Sequence, residues 1–136
     1  MRPSATAAPP LNRRQRGNRY EALAAEYLVR HGYRIVERQF RTRLGEIDLI
    51  AMDGGTLCFL EVRSKTSARF GTAAASVTPQ KQRRLALVAS QYLQSRPRLQ
   101  RLPCRFDVVA LDASDDAATP QVLLIRNAFS VECWIA

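Results

Sequence analysis

The sequence predicts an α/β fold, a mixed central β-sheet flanked by helices in the order α-β-β-β-α-β-β. Two observations carry this prediction. Apolar residues recur at helical spacing in two separate stretches, Tyr20–Leu28 and Leu85–Leu93. Between them, Asp53-Gly54-Gly55 joins two apolar runs, which is a strong hairpin signal. A meander linked through a helix to further strands makes a mixed sheet with helices packed on it.

The elements follow in order. A first helix is expected from about Arg13 to Arg30, with Tyr20, Leu23, Ala24, Tyr27 and Leu28 on one apolar face. His31-Gly32 ends it, with the glycine just past the last turn. A strand of imperfect alternation follows over Tyr33–Phe40. The hairpin strands are Glu46–Met52 and Thr56–Arg63, and a Gly/Ser/Thr/Ala-rich loop covers roughly Ser64–Thr78. Thr78 caps a second helix that starts at Pro79 and stops at Pro97. Strands at Cys104–Leu111 and Gln121–Arg126 complete the sheet, separated by an acidic loop at Asp112, Asp115 and Asp116.

The chain has 136 residues, about one domain. Residues 1–12 read as a disordered tail and 13–136 as a single domain. There are 21 Lys+Arg against 12 Asp+Glu, a net charge of +9, and most of the bases are arginine. The planar fork of arginine suits phosphate, so the balance points to a nucleic-acid partner. A merely solubilising basic surface is the alternative. Three cysteines without a CxxC pair and a single histidine, His31, leave zinc binding and Ser-His or Cys-His catalysis poorly supplied. Buried free thiols in a reducing compartment fit Cys58 and Cys104, which lie in apolar runs. No apolar stretch is long enough for a membrane span, and the N-terminus lacks a secretory h-region. The expected location is the cytoplasm.

Chemistry concentrates in the hairpin. Period-2 alternation puts Glu46, Asp48 and Ile50 on one face of its first strand, and Ile47, Leu49 and Ala51 on the other. Leu57, Phe59, Glu61 and Arg63 share one face of its second strand, with Cys58, Leu60 and Val62 on the other. Closing the turn brings Asp48 and Glu61 nearly opposite. Paired like charges destabilise a sheet unless a divalent cation lies between them. Mg²⁺ or Mn²⁺ held there would polarise a phosphodiester, with Arg63 or Lys65 stabilising the developing charge. The same acids could instead form solvated ion pairs, Glu46 with Arg43 and Glu61 with Arg63, each worth little.

At these residues the chain closely resembles the uncharacterised protein family UPF0102, also called the YraN family. The resemblance runs through Gly17-x-x-x-Glu21-x-x-Ala24, Gly32-Tyr33, Gly45-Glu46-Ile47-Asp48-Leu49-Ile50-Ala51 and Phe59-Leu60-Glu61-Val62-Arg63. It continues in Phe70-Gly71, Val77-Thr78-Pro79-Gln80-Lys81 and Arg105-Phe106-Asp107-Val108-Val109. That family looks like a branch of the restriction-endonuclease-like superfamily, near archaeal Holliday-junction resolvases. The resemblance implies a restriction-endonuclease-like core with a metal-binding aspartate, a Glu-x-Lys on the next strand and an acid from the first helix. By position, Asp48 and Glu61 are the metal ligands, Glu21 is the helix acid, and Arg63 replaces the lysine. Arginine does not give up its proton, so Arg63 fits phosphate binding better than proton transfer. Lys65, in phase with Arg63, or Lys81 would restore the missing ammonium.

Alternatives stay open at several positions. Glu21 could equally be a helix-surface acid paired with Arg13 or Arg14. Gln80 and Lys81 could present a helix N-terminus to phosphate or form an ordinary first turn. Arg43 joins Arg63, Lys65, Gln80 and Lys81 as a candidate nucleic-acid contact. Asp107 reads as structural. The expected function is an endonuclease dependent on Mg²⁺ or Mn²⁺, acting on DNA, of branched or other unusual structure. A catalytically degenerate nucleic-acid-binding module, or a docking face for an acidic protein, are the competing readings. A homodimer is the expectation for a resolvase-like enzyme, because two strands must be cut.

Overall fold

The computed structural model describes residues 9–65, 76–112 and 120–130. Asn12 caps the first helix, α1 (Arg13–Arg30), by accepting from the Gln15 backbone while the Gln15 side chain accepts from Asn12. This reciprocal box satisfies N–H groups that a helix start leaves orphaned. Strands β1 (Tyr33–Thr42), β2 (Gly45–Asp53) and β3 (Thr56–Lys65) form an antiparallel meander. Thr78 caps α2 (Pro79–Gln94) by accepting from the Lys81 backbone, with Pro79 preset for the first turn. A 3-10 turn over Pro97–Arg101 leads into β4 (Cys104–Asp112), and β5 (Val122–Phe129) closes the sheet.

The order of elements is the predicted one, and the five strands lie side by side as β1-β2-β3-β4-β5. Only β3 and β4 are parallel, because α2 carries the chain back between them. Each face of the sheet buries one helix. On one side α2 buries Leu85, Val88, Ala89, Tyr92 and Leu93 against Ile50, Leu57, Phe59 and Phe106. On the other, Ala24, Ala25 and Leu28 of α1 meet Leu49, Ala51, Cys58, Leu60 and Val109. Small alanines let α1 approach closely. Truncating Phe59, buried at the centre of the α2 side, would cost about 3–5 kcal/mol. Cys58 and Cys104 are free thiols. Among the described residues no helix is long and apolar enough to cross a membrane.

Several boundaries differ from expectation. β1 runs on to Thr42 and β5 to Phe129, both edge strands whose partners sustain them beyond the apolar pattern. Ser64 and Lys65 extend β3 rather than opening a loop, because β4 pairs with them. The rest of the expected loop through Ala75, the acidic loop at 113–119, and residues 1–8 of the expected tail lie outside the described residues.

Candidate functional site

The β2–β3 ladder pairs Leu49 with Leu60. One step further from the turn stand Asp48 and Glu61, and there the Asp48 side chain takes over. Its Oδ2 accepts from the Val62 backbone N–H at 2.8 Å. Both acids line one cleft with Gly45, Glu46, Lys81, Arg84 and Leu85. Glu61 is only 6% exposed, so it needs a partner. Burial, reinforced by the neighbouring charge of Glu61, pushes the Asp48 carboxyl up to about 8. Glu21 and Glu46 add repulsion, while the Val62 hydrogen bond opposes it.

The simple alternation expected along β2 fails at this point. Ile47 packs with Ile50 on the α2 side, whereas Leu49 and Ala51 face α1. An irregularity of β1 lies next door. Gln39 on β1 takes a left-handed backbone, φ 53°, and the β1–β2 ladder skips the pair Gln39–Asp48. Arg38–Leu49 and Phe40–Ile47 pair normally on either side. The gap in the ladder coincides with the change of face between Leu49 and Ile47.

The basic candidates separate clearly. Lys81, from the first turn of α2, places Nζ 2.6 Å from Glu61 Oε1. Arg63 reaches the same oxygen only at 3.8 Å. Its guanidinium is tethered elsewhere, Nη2 donating to the Ser76 carbonyl at 2.9 Å and Nε to Ser76 Oγ at 3.2 Å. The backbone of Lys65 continues β3, while its side chain lies outside the described part. Gln80 and Arg43 are exposed, the former in the first turn of α2 and the latter in the β1–β2 turn. That first turn contains no acid of its own, and Glu61 supplies the neighbouring carboxylate through Lys81. Glu46 pairs with Arg41 at 3.4 Å, not with Arg43, because Arg41 is its register partner across the ladder.

Glu21 sits on α1 across the sheet end. It accepts from Gln39 Nε2 at 3.1 Å, and no pairing with Arg13 or Arg14 accompanies it among the described residues. Burial raises its carboxyl, and the Gln39 hydrogen bond pulls the other way. Among the described residues, no three acids, histidines or cysteines already converge as a ligand set. Asp48 and Glu61 share one cleft; Glu21 lines a separate one with Asn18, Ala22, Arg38 and Gln39, near enough for its charge to act on Asp48.

Asp107 is structural, as expected. Its buried carboxylate accepts from Arg105 Nε at 3.0 Å, Asn127 N at 2.8 Å and Tyr33 Oη at 3.3 Å. Arg105 also bonds Asp53 at 2.6 Å. Gln39, Ser76 and Arg84 were not legible as site residues. For Gln39 the only signal is a polar residue inside a strand opposite the key acid. Ser76 comes from the loop before α2, and Arg84 is placed by close packing of its stem on Gly45.

Residues 20–111 match the model of the uncharacterised protein family UPF0102. The chain belongs to this family. The UPF0102 protein of Symbiobacterium thermophilum is 49% identical over 116 residues, covering 85% of this chain and 97% of the relative. That of Alkalilimnicola ehrlichii is 48% identical over 129 residues, covering 95% and 94%. That of Nitrosococcus oceani is 44% identical over 123 residues, covering 90% and 98%. The family match spans the hairpin carrying Asp48 and Glu61, α1 from Tyr20 onward, and α2. UPF0102 membership thus agrees with the resemblance read in the sequence, and the mixed sheet with one helix on each face is consistent with a nuclease-like core.

Proposed function

We propose that this UPF0102 protein is a Mg²⁺- or Mn²⁺-dependent endonuclease whose substrate is DNA, with branched or otherwise structured DNA the favoured form. The observation that carries this reading is the Asp48–Glu61 pair, two adjacent acids at the open end of a hairpin with Lys81 against them. The donor set fits a hard cation: two carboxylates in a cleft lined by a third, Glu46, leave room for the water ligands that Mg²⁺ retains. Burial and then the neighbouring charge of Glu61 push the Asp48 carboxyl upward, and a bound cation would favour its charged form. Asp48 and Glu61 would hold the ion, with Glu21 from the neighbouring cleft as a further oxygen donor. When bound, such an ion supplies Lewis-acid polarisation of the phosphodiester.

The remaining roles belong to the chain's own groups. Lys81 keeps the Glu61 carboxylate in place and offers an ammonium to the scissile phosphate. It is the ammonium that the Arg63 substitution displaces from β3, brought back from α2. Arg63, permanently charged and anchored on Ser76, binds a phosphate oxygen. The first turn of α2, with Gln80 exposed, and Arg43 at the β1–β2 turn extend the same basic surface along the DNA. A homodimer would supply the second centre that cutting two strands requires.

A test is cleavage of a four-way junction or flap DNA in Mn²⁺. Wild type should cut, and Asp48→Ala should not. Equal cutting by the variant would point to a contaminating nuclease and remove the assignment. The tight Lys81–Glu61 ion pair also favours a second reading, a module that binds DNA without cutting it. In that case binding weakens steeply with salt and ignores EDTA and Glu61→Gln.

A further inference from the structure

We propose that Gln39 is a positioning residue of the cation site: its amide orients Glu21, and its left-handed backbone releases Asp48 from the sheet. The inference rests on the cation-site reading given above and adds a residue to it. Left-handed backbone at a residue other than glycine is uncommon, and glutamine lacks the short side chain that eases asparagine into it. Such a conformation persists only where its surroundings enforce it. At Gln39 two contacts are in place. Nε2 donates to Glu21 Oε2 at 3.1 Å and lies 3.5 Å from Asn18 Oδ1. The cross-strand partner that a regular ladder would give Gln39 is Asp48, and that is the pair the ladder skips.

One residue on an edge strand thus bonds Glu21 by its side chain and lies where the ladder omits the pairing with Asp48. By its side chain it binds an oxygen of Glu21, which fixes the carboxylate's orientation on α1. Its left-handed backbone falls at the gap in the ladder opposite Asp48, whose carboxylate accepts from the Val62 N–H. Hydrogen bonds of this kind to a ligating carboxylate typically govern metal affinity by tenfold to a hundredfold.

The test uses Mn²⁺ binding to the full chain, read by the electron paramagnetic resonance of free Mn²⁺, alongside thermal melting. Gln39→Gly keeps the left-handed backbone but removes the amide. Its melting temperature should equal or exceed that of wild type, since glycine carries no penalty there. Its Mn²⁺ affinity should fall by about tenfold or more. Glu21→Gln should show a similar loss. The double variant should bind no more weakly than Glu21→Gln alone, because the amide acts through that carboxylate. Gln39→Asn, which keeps an amide and tolerates the backbone, should fall between wild type and Gln39→Gly. Wild-type affinity in Gln39→Gly, with Glu21→Gln weakened, would overturn the role of Gln39 and leave the cation site standing. Additive losses in the double variant would also overturn it. If wild type itself takes up no Mn²⁺, the cation reading fails and this inference with it.

Discussion

Gln39 and Asn127 are the described non-glycine residues with left-handed backbone, φ 53° and 52°, and they lie on opposite edge strands. Each stands beside an acid of the neighbouring strand where the ladder is irregular, Asp48 for Gln39 and Asp107 for Asn127. There the likeness ends. Asp107 gathers Asn127 N, Arg105 Nε and Tyr33 Oη around a fully buried side chain. Asp48 receives one backbone N–H and faces the charges of Glu61, Glu21 and Glu46. The first acid is neutralised by its own chain and ties β4 to β1, β2 and β5. The second has burial and the neighbouring carboxylates against its charge, with the Val62 N–H in its favour. A buried acid that is satisfied builds the fold; one that is not keeps a cost that binding a cation can relieve.

The contrast can be broken at either end. The largest effect belongs to the satisfied acid. Asp107→Ala strips Arg105, Tyr33 and Asn127 of a shared acceptor, and should lower unfolding free energy by about 3–5 kcal/mol in urea titration. Mn²⁺ binding by the folded fraction should not change. A variant as stable as wild type would mean that the network adds little to the fold.

Next comes Lys81→Ala at the other end. Loss of its ammonium should slow DNA cleavage about a hundredfold. Stability should fall by about 1–3 kcal/mol, because Glu61, 6% exposed, loses its nearest cation. A large loss of stability with unchanged cleavage would reverse the roles assigned to the two ends.

Asp48→Asn should do what the Asp107 variant cannot, and stabilise the protein in EDTA by about 1–2 kcal/mol. The pH dependence gives its signature. Folded Asp48 holds its proton up to about pH 8, while the unfolded chain releases it near the ordinary carboxylate value of about 4. The group therefore favours the folded state below about pH 4, and that contribution is lost as pH rises toward 8. The advantage of Asp48→Asn should widen over the same interval, and a constant or shrinking difference would contradict the raised carboxyl of buried Asp48. The smallest effect concerns Cys58, buried near Asp107, whose thiol burial pushes up to about 12. In native protein at pH 8 it should resist a thiol-disulfide reagent and react only on unfolding. Rapid native labelling of Cys58 would show that this end of the sheet opens.

Much of this arrangement was legible before the structure. The Asp53-Gly54-Gly55 turn sets the β2–β3 register, and Asp48 and Glu61 follow from counting back from it. Alternation along β3 holds, because β3 is covered by a helix on each face. Alternation along β2 fails at Ile47, beside a left-handed residue of β1, and β1 carries no glycine there to announce one. The parallel pairing of β3 with β4 depends on the crossover through α2, which local patterning does not encode. Lys81 was one of several basic candidates. Only the docking of α2 on the sheet selects it, and the same packing places Arg84 against Gly45. The Arg105–Asp107–Tyr33 network is likewise a product of register across strands far apart in sequence.

The central claim is that Asp48 and Glu61 form a cation site. An anomalous difference map from crystals soaked in Mn²⁺ tests it most directly. The account predicts a single strong peak bridging Asp48 and Glu61, with Glu21 turned toward it and no peak at Asp107. A soaked crystal with no peak between the two acids, and Lys81 still seated on Glu61, would contradict it.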